Sequence, residues 1–306
     1  MIGIVEFFDG VSRGISLNLP HFSRLTHEDN KKYGSLLKKN CIEAILASAR
    51  KYNLFFRFID MPYNSEIVGK GLGVNVLEDL ESIGDGLGGY CLVDVVDGTW
   101  AAVSGCPFSG TTTLAVSLSI EKKKGDLTLA DFEYAAVIPH EGDGWYLGRT
   151  YSPTLYIKSD RGRTVLGLSP QKNPKEIRFV LDLFTTQTYS QLEKSIDAVK
   201  PIMLEWADFV RLYGAGIEIT TMFSRDAMEP SVGAYISANQ KMDNVIPLSI
   251  LVEGAGGIVT DWWGNSIADK KLEDRVFVAM SANETLHENI LNHFKNVPVI
   301  EGGLND

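Results

Sequence analysis

Asp94-Val-Val-Asp97-Gly98-Thr99 brings two carboxylates, a glycine and a hydroxyl together where an apolar run, Cys91-Leu-Val-Asp-Val-Val96, comes to its end. In an extended strand, positions i and i+3 face opposite sides. Asp94 and Asp97 therefore converge only if the chain turns at Val96-Asp97, which Gly98 permits. Two carboxylates a few ångströms apart repel unless a cation lies between them, and hard divalent ions such as Mg2+ take oxygen ligands. The backbone N–H groups of Gly98 and Thr99 are able to hold a phosphate oxygen, as other glycine turns do. The plainer alternative is an Asp-Gly turn with Asp94 as a surface or capping residue, and these six residues alone leave both open.

The elements that must position these groups follow from periodicity. Residues 36–51 place Leu36, Leu37, Cys41, Ala44, Ile45 and Ser48 at helical spacing, ending near Asn53. Cys91 to Val96 reads as a strand running into the Asp97-Gly98 turn. Thr111 to Ile120 alternates, and a second run from Leu127 to Ile138 follows Lys122-Lys-Lys-Gly-Asp126, so a β-hairpin is predicted with a solvated tri-lysine turn. Ile177 to Leu183 reads as a strand, and Thr188 to Trp206 as a helix with Leu192, Ile196, Val199 and Ile202 on one side. Asn244 to Glu253 looks helical and is stopped by Gly254, Gly256 and Gly257. Strands over Ile258–Asp261 and Arg275–Met280 follow, then a last helix from Asn283 to Lys295 capped by Ser281 or Asn283. Hairpins first and β/α alternation later suggest two sub-domains, 1–180 and 181–306.

Bulk properties narrow the class. A chain of 306 residues with 44% hydrophobic and 22% charged residues is long and apolar enough for a substantial core, and is neither disordered nor fibrous. Thirty-nine acids against 29 bases give a charge of -10, which disfavours nucleic acid and anionic membrane as partners. A small anionic substrate remains compatible if metal ions invert the local sign. Cys41, Cys91 and Cys106 are widely spaced and odd in number, which argues against a disulfide framework or zinc knuckle and fits a reducing cytoplasm. The stretch from Met1 to Asp9 carries no signal pattern, and no apolar run reaches membrane-spanning length.

Beyond the single motif, the sequence resembles the inositol monophosphatase family of metal-dependent sugar phosphatases. The family's D-P-[IL]-D-G-T matches at Asp94, Asp97, Gly98 and Thr99, with Val95 and Val96 replacing Pro and Ile or Leu. Its upstream E-E pair looks like Glu78-Asp79, and its late W-D…E-A-G-G-x-[VI]-T-D…G block looks like Met242-Asp243, Glu253-Gly-Ala-Gly-Gly-Ile-Val-Thr-Asp261 and Gly264. Gly214-Ala-Gly-Ile-Glu218 resembles G-[ST]-A-A-L-[DE], and Val276 to Asn283 resembles the closing strand-to-helix segment. The resemblance implies a layered αβαβα sandwich of α+β class and a phosphoric monoester hydrolase. One metal would be held by Glu78, Asp94 and the Val96 carbonyl, and a second by Asp94, Asp97 and Asp243. Glu78, Thr99 and Asp97 would be the catalytic residues, Thr99 and Glu78 orienting and activating a water for in-line attack, while Gly98, Thr99, Gly214, Ala215 and Asp243 would meet the substrate. Mg2+, with Mn2+ as a substitute, is the implied cofactor. A phosphorylated polyol or sugar is the implied ligand, and a homodimer the implied assembly. Two alternatives stay open: a catalytically silent sugar-phosphate-binding or scaffold homologue, and a nucleotide 3′-phosphate phosphatase.

The family pattern is broken at several positions. Trp100 follows Thr99, Met242 replaces the Trp before Asp243, and Ile236 falls near a position where many members carry a sugar-binding Glu. The family's first motif, D-x-x-T-x-x-D-like, has no good match in residues 20–66. Other signals read more plainly as structure. Gly69-Lys-Gly-Leu-Gly73 lacks the full phosphate-loop pattern, His287 and His293 are spaced wrongly for one metal, and Trp262-Trp263 is either a buried corner or a partner patch.

Overall fold

The computed structural model describes residues 2–18, 27–59, 87–97, 110–119, 121–140, 144–158, 162–183, 188–206, 208–210, 215–224, 230 and 232–298. Ile4, Phe7, Phe8, Val11 and Ile15 recur every three or four residues and form the buried stripe of helix α1 (Ile2–Asn18), which is not among the expected elements. Helix α2 (His27–Lys51) begins earlier than expected and lays Leu37, Cys41, Ile45 and Ala49 beneath it. Asn53, at φ 55, ends it in the left-handed conformation that asparagine tolerates.

Seven strands follow in spatial order β1 to β7: Leu54–Ile59, Leu87–Asp97, Thr111–Ser117, Tyr134–Pro139, Gly144–Arg149, Ser152–Lys158 and Gly162–Val165. β1 runs parallel to β2, and the rest form an antiparallel meander. The expected hairpin pairing is present between β3 and β4, but β4 starts only at Tyr134. Earlier in that run Asp131 accepts from the backbone N–H (2.8 Å) and the hydroxyl (3.0 Å) of Thr128, which curls the chain into a 3-10 turn.

The second sheet has five strands in the order β11-β12-β10-β8-β9, where β8 is Arg178–Asp182, β9 Asp208–Val210, β10 Val232–Lys241, β11 Ile258–Asp261 and β12 Arg275–Ser281. Four helices accompany it: α3 (Tyr189–Glu205), α4 (Ala215–Thr220), α5 (Met242–Gly254) and α6 (Glu284–Phe294). On α3 the buried stripe is Ser195, Ala198, Val199 and Ile202, whereas Ile196 is 43% exposed, one position off the stripe. Asn283 caps α6 by accepting from Leu286 N at 3.1 Å. Trp262 is fully buried and stacks on Phe294 at 4.2 Å, so it is a corner of the core.

Strand alternation sorts the core into three apolar layers. Cys91, Val93, Val95, Leu114 and Val116 point towards α1 and α2. Tyr90, Leu92, Ala115 and Ala135 point the other way, joining Ala215 and Ile219 of α4, Met242 to Val252 of α5, and Val180, Tyr235 and Val278 of the second sheet. Phe179, Leu181, Ala234, Ile236 and Ala279 face α3 and α6. Helices, sheet, helices, sheet, helices is the expected αβαβα sandwich of α+β class. No helix among the described residues is long and apolar enough to cross a membrane.

Candidate active site

Asp94 sits on β2 two residues beyond Leu92, so the period-2 alternation of the strand places it on the face that carries Tyr90 and Leu92, the face covered by α5. It is half-buried and lies opposite Thr113 of β3. The next pair in register is Asp97 with Thr111. Three steps on β2 thus oppose two on β3, a β-bulge of the kind needed to break regular alternation between the two aspartates.

Asp243 reaches the same layer from the far end of the sequence. Its helix α5 packs on β2, β3, β4, β5 and β6. The C-terminal half is pinned at the β5–β6 end: Gly148 lies against Ile250 and Leu251, and Thr154 Oγ1 donates to Leu251 O at 2.6 Å. A helix of 13 residues is about 20 Å long, close to the spacing of four strand intervals at about 4.8 Å each. With one end on β6, contact with β2 falls to the first turn, where Asp243 lies. Asp243 Oδ1 accepts from Asn244 N at 2.8 Å.

A polar chain, buried at Gln240 and Asp182, secures that first turn. Asn244 Nδ2 lies 3.4 Å from Gln240 Oε1, and Gln240 Nε2 donates to Asp182 Oδ2 at 2.8 Å, linking α5 to β10 and β8. Ala215 opens α4, which packs on α5, β3 and β4, so it belongs to the same layer. Asp94, Ala215 and Asp243 are therefore brought to one side of the first sheet. Val96 and Asp97 are placed by backbone alone, and Glu78, Asp79, Gly98, Thr99, Trp100 and Gly214 lie outside the described residues. Among the described residues no group of three or more His, Cys, Asp or Glu is disposed to hold a metal. Ile236 packs in the apolar layer against α3 and α6, on the side of the second sheet turned away from Asp94 and Asp243.

The donor set present is carboxylate oxygen, which fits a hard divalent cation and not a soft one. Several polar residues close to this layer carry no motif. Thr111, Thr112 and Thr113 open a strand that is buried at every position, and Ser237, Asn239 and Gln240 lie in the buried stretch of β10. Polar side chains inside continuously buried strands are the signal by which they are found.

No protein-family model matches the chain, and no curated protein matches it in sequence. Solved structures do match. SuhB of Mycobacterium tuberculosis superposes with a TM-score of 0.64 at 11% identity, over 98% of each chain. An inositol monophosphatase from Zymomonas mobilis gives 0.61 at 15% identity over 96% of each. An IMPase/NADP phosphatase complexed with Mg2+ and phosphate gives 0.58 at 13%, over 99% of this chain and 94% of its own. The fold is that of the inositol monophosphatases. SuhB proteins and inositol monophosphatases are the solved structures it is similar to, across nearly its whole length.

Proposed function

We propose that the chain is a Mg2+-dependent phosphatase that hydrolyses a phosphate monoester of inositol or a sugar, of the inositol 1-phosphate or fructose 1,6-bisphosphate class, acting in the cytoplasm as a homodimer. What supports this reading is that β2, which carries Asp94, and α5, which carries Asp243 in its first turn, pack on each other. Asp94 and Asp243 would hold the ion, with Asp97, Glu78 and the Val96 carbonyl as the remaining oxygens that the resemblance supplies. When bound, the cation neutralises phosphoryl oxygens, lowers the pKa of the attacking water and stabilises the leaving alkoxide.

The chain's own groups do the rest. The first turn of α5 presents backbone N–H groups and the positive end of its dipole, favourable to an anionic substrate. On the roles that the resemblance implies, the amides of Gly98 and Thr99 would cradle the phosphate, and Thr99 with Glu78 would orient the water. The layer between the sheets excludes bulk water from behind, because Leu92, Ala115, Met242 and Val245 are all buried there.

The test is release of inorganic phosphate from a panel of inositol, sugar and nucleotide phosphates, with Mg2+ and with EDTA. Release that needs Mg2+ or Mn2+, stops with chelator and returns on re-addition is expected. Turnover indifferent to chelator overturns the reading. Calorimetric binding of sugar phosphate without any release replaces it by the silent homologue, and preference for nucleotide 3′-phosphates moves the substrate class.

A further inference from the structure

Behind the acidic strand, on the face turned to α1 and α2, three side chains that the reading above leaves unused gather at one carbonyl. Thr112 Oγ1 donates to Val95 O at 2.8 Å. His140 Nε2 lies 3.0 Å from Thr112 Oγ1, and Cys41 Sγ lies 3.8 Å from the same nitrogen. All three residues are buried.

The proton count fixes the direction of the chain. A hydroxyl carries one proton, and here it is given to a carbonyl that can only accept. The Thr112 oxygen must therefore accept from His140, so the neutral imidazole carries its proton on Nε2. His140 Nδ1 is then an acceptor, buried and without a partner among the described residues. The Nδ1 edge of the ring faces Gly110, where a Cβ would stand 2.6 Å from Nδ1, and His140 N donates to Gly110 O at 2.9 Å. Burial keeps the ring neutral, pushing its pKa down to about 4. A second proton would have to sit on Nδ1, where no described residue accepts it.

The location gives this chain a consequence for the site. Val95 stands between Asp94 and Val96, and Thr112 stands between Thr113 and Thr111, the two β3 residues that bracket the bulge. A bulge leaves a residue out of the regular ladder, and such a strand end keeps one geometry only if something else holds it. The side chain of Val95 is anchored in the apolar layer on the same side as Thr112, opposite to the face of Asp94. We propose that Thr112, oriented by His140, is a positioning residue for the ion-binding strand end: by holding the Val95 carbonyl from behind it sets the spacing of Asp94, Val96 and Asp97. The role rests on the proposed reading of those residues as ion ligands.

Mg2+ titration by calorimetry, without substrate and on folded protein verified by circular dichroism, separates positioning from mere support. Thr112→Val keeps the volume and deletes the donor, and is expected to weaken Mg2+ by about tenfold or more. Thr112→Ser restores the hydroxyl and should return the affinity to within about threefold of the parent. His140→Leu should weaken Mg2+ as Thr112→Val does, and the double variant should be no worse than either single one, because both break the same chain. Where Thr112→Val does not fold, His140→Leu carries the same comparison. A fall in Tm with unchanged Mg2+ affinity in both variants overturns the role. Asp94→Asn distinguishes the two levels of failure. Parental affinity in Asp94→Asn removes the ion reading and this role with it; weakened affinity there, beside parental affinity in Thr112→Val and His140→Leu, removes this role alone.

Discussion

Asp243 and Asp261 are two carboxylates from the same late stretch of chain, and their surroundings give them different work. Asp261 is buried at the end of β11, where Oδ1 accepts from Trp263 N (2.9 Å) and Asn265 N (2.8 Å) and Oδ2 accepts from Asn265 Nδ2 (2.9 Å). It closes a turn. Asp243 instead opens α5 on the β2 side of the first sheet. Asp243→Asn keeps the size but removes one negative charge, so Mg2+ affinity should fall by about tenfold or more with little change in Tm. Asp261→Asn should cost about 1 kcal/mol of stability through one lost acceptor while leaving Mg2+ affinity intact. If calorimetry finds the two variants alike, the early and late motifs do not share a site. The elements that carry Asp94 and Asp243 were legible in the sequence, because an apolar run from Cys91 and a helical pattern from Asn244 mark them. Thr112 and His140 were not, since their meaning comes from a contact between strand β3 and the residue that follows β4, which no local spacing records.

Elements with a single strong period were readable. Strand β11, strand β12 and helix α6 lie where alternation and the Asn283 cap put them. Strand β10 was missed because Ser237, Asn239 and Gln240 interrupt its apolar pattern, and only tertiary packing reveals that all three are buried. The meander of β5 and β6 was missed for a related reason: Tyr146 and Tyr156 on one face and Trp145 and Ile157 on the other serve two different apolar layers, so no polar face marks the period. The turn from α5 into β11 can be tested directly. A Cβ on Gly257 would stand 2.7 Å from Ser281 O, a backbone atom that cannot swing aside, and 2.6 Å from Val252 Cγ1. Gly257→Ala should therefore lower stability by about 1–3 kcal/mol, seen as a fall of several degrees in Tm. Gly125→Ala, where a Cβ meets nothing within 4 Å, is the matched control and should melt as the parent does. Equal melting of the two variants would show that this corner is looser than the packing implies.

At the scale of the whole molecule, two buried histidines set a pH limit. His140 sits beside Thr112 and Cys41 in the outer layer, and His287, on the buried face of α6, lies between Ser281 Oγ (2.7 Å) and Thr260 Oγ1 (3.0 Å). Burial pushes both imidazoles from 6.5 down to about 4. The unfolded chain then binds more protons than the folded one between those values, so this stability is complete above about pH 6.5 and is lost as pH falls towards 4. At pH 5 each histidine should cost about 2 kcal/mol relative to pH 7, above the range where ordinary carboxylates titrate. Glu253, whose carboxyl is raised by burial, works in the opposite sense. Urea unfolding at pH 7 and pH 5 measures the difference, and His287→Gln should remove about half of it. An unfolding free energy equal at the two pH values would mean that neither ring is sequestered.

Helix α1 carries a consequence for how the chain is made. Phe7 meets Phe56 at 5.3 Å, a partner from the nearby strand β1, but Phe8 meets Trp145 at 5.9 Å, and Trp145 belongs to β5. During synthesis, α1, α2 and β1 leave the ribosome together and can pair at once, while the aromatic surface around Phe8 waits for most of the meander to be translated. The nascent chain therefore displays a greasy flank for several seconds at ordinary elongation rates, about 5–20 residues per second, and that flank is where a ribosome-associated chaperone would find it.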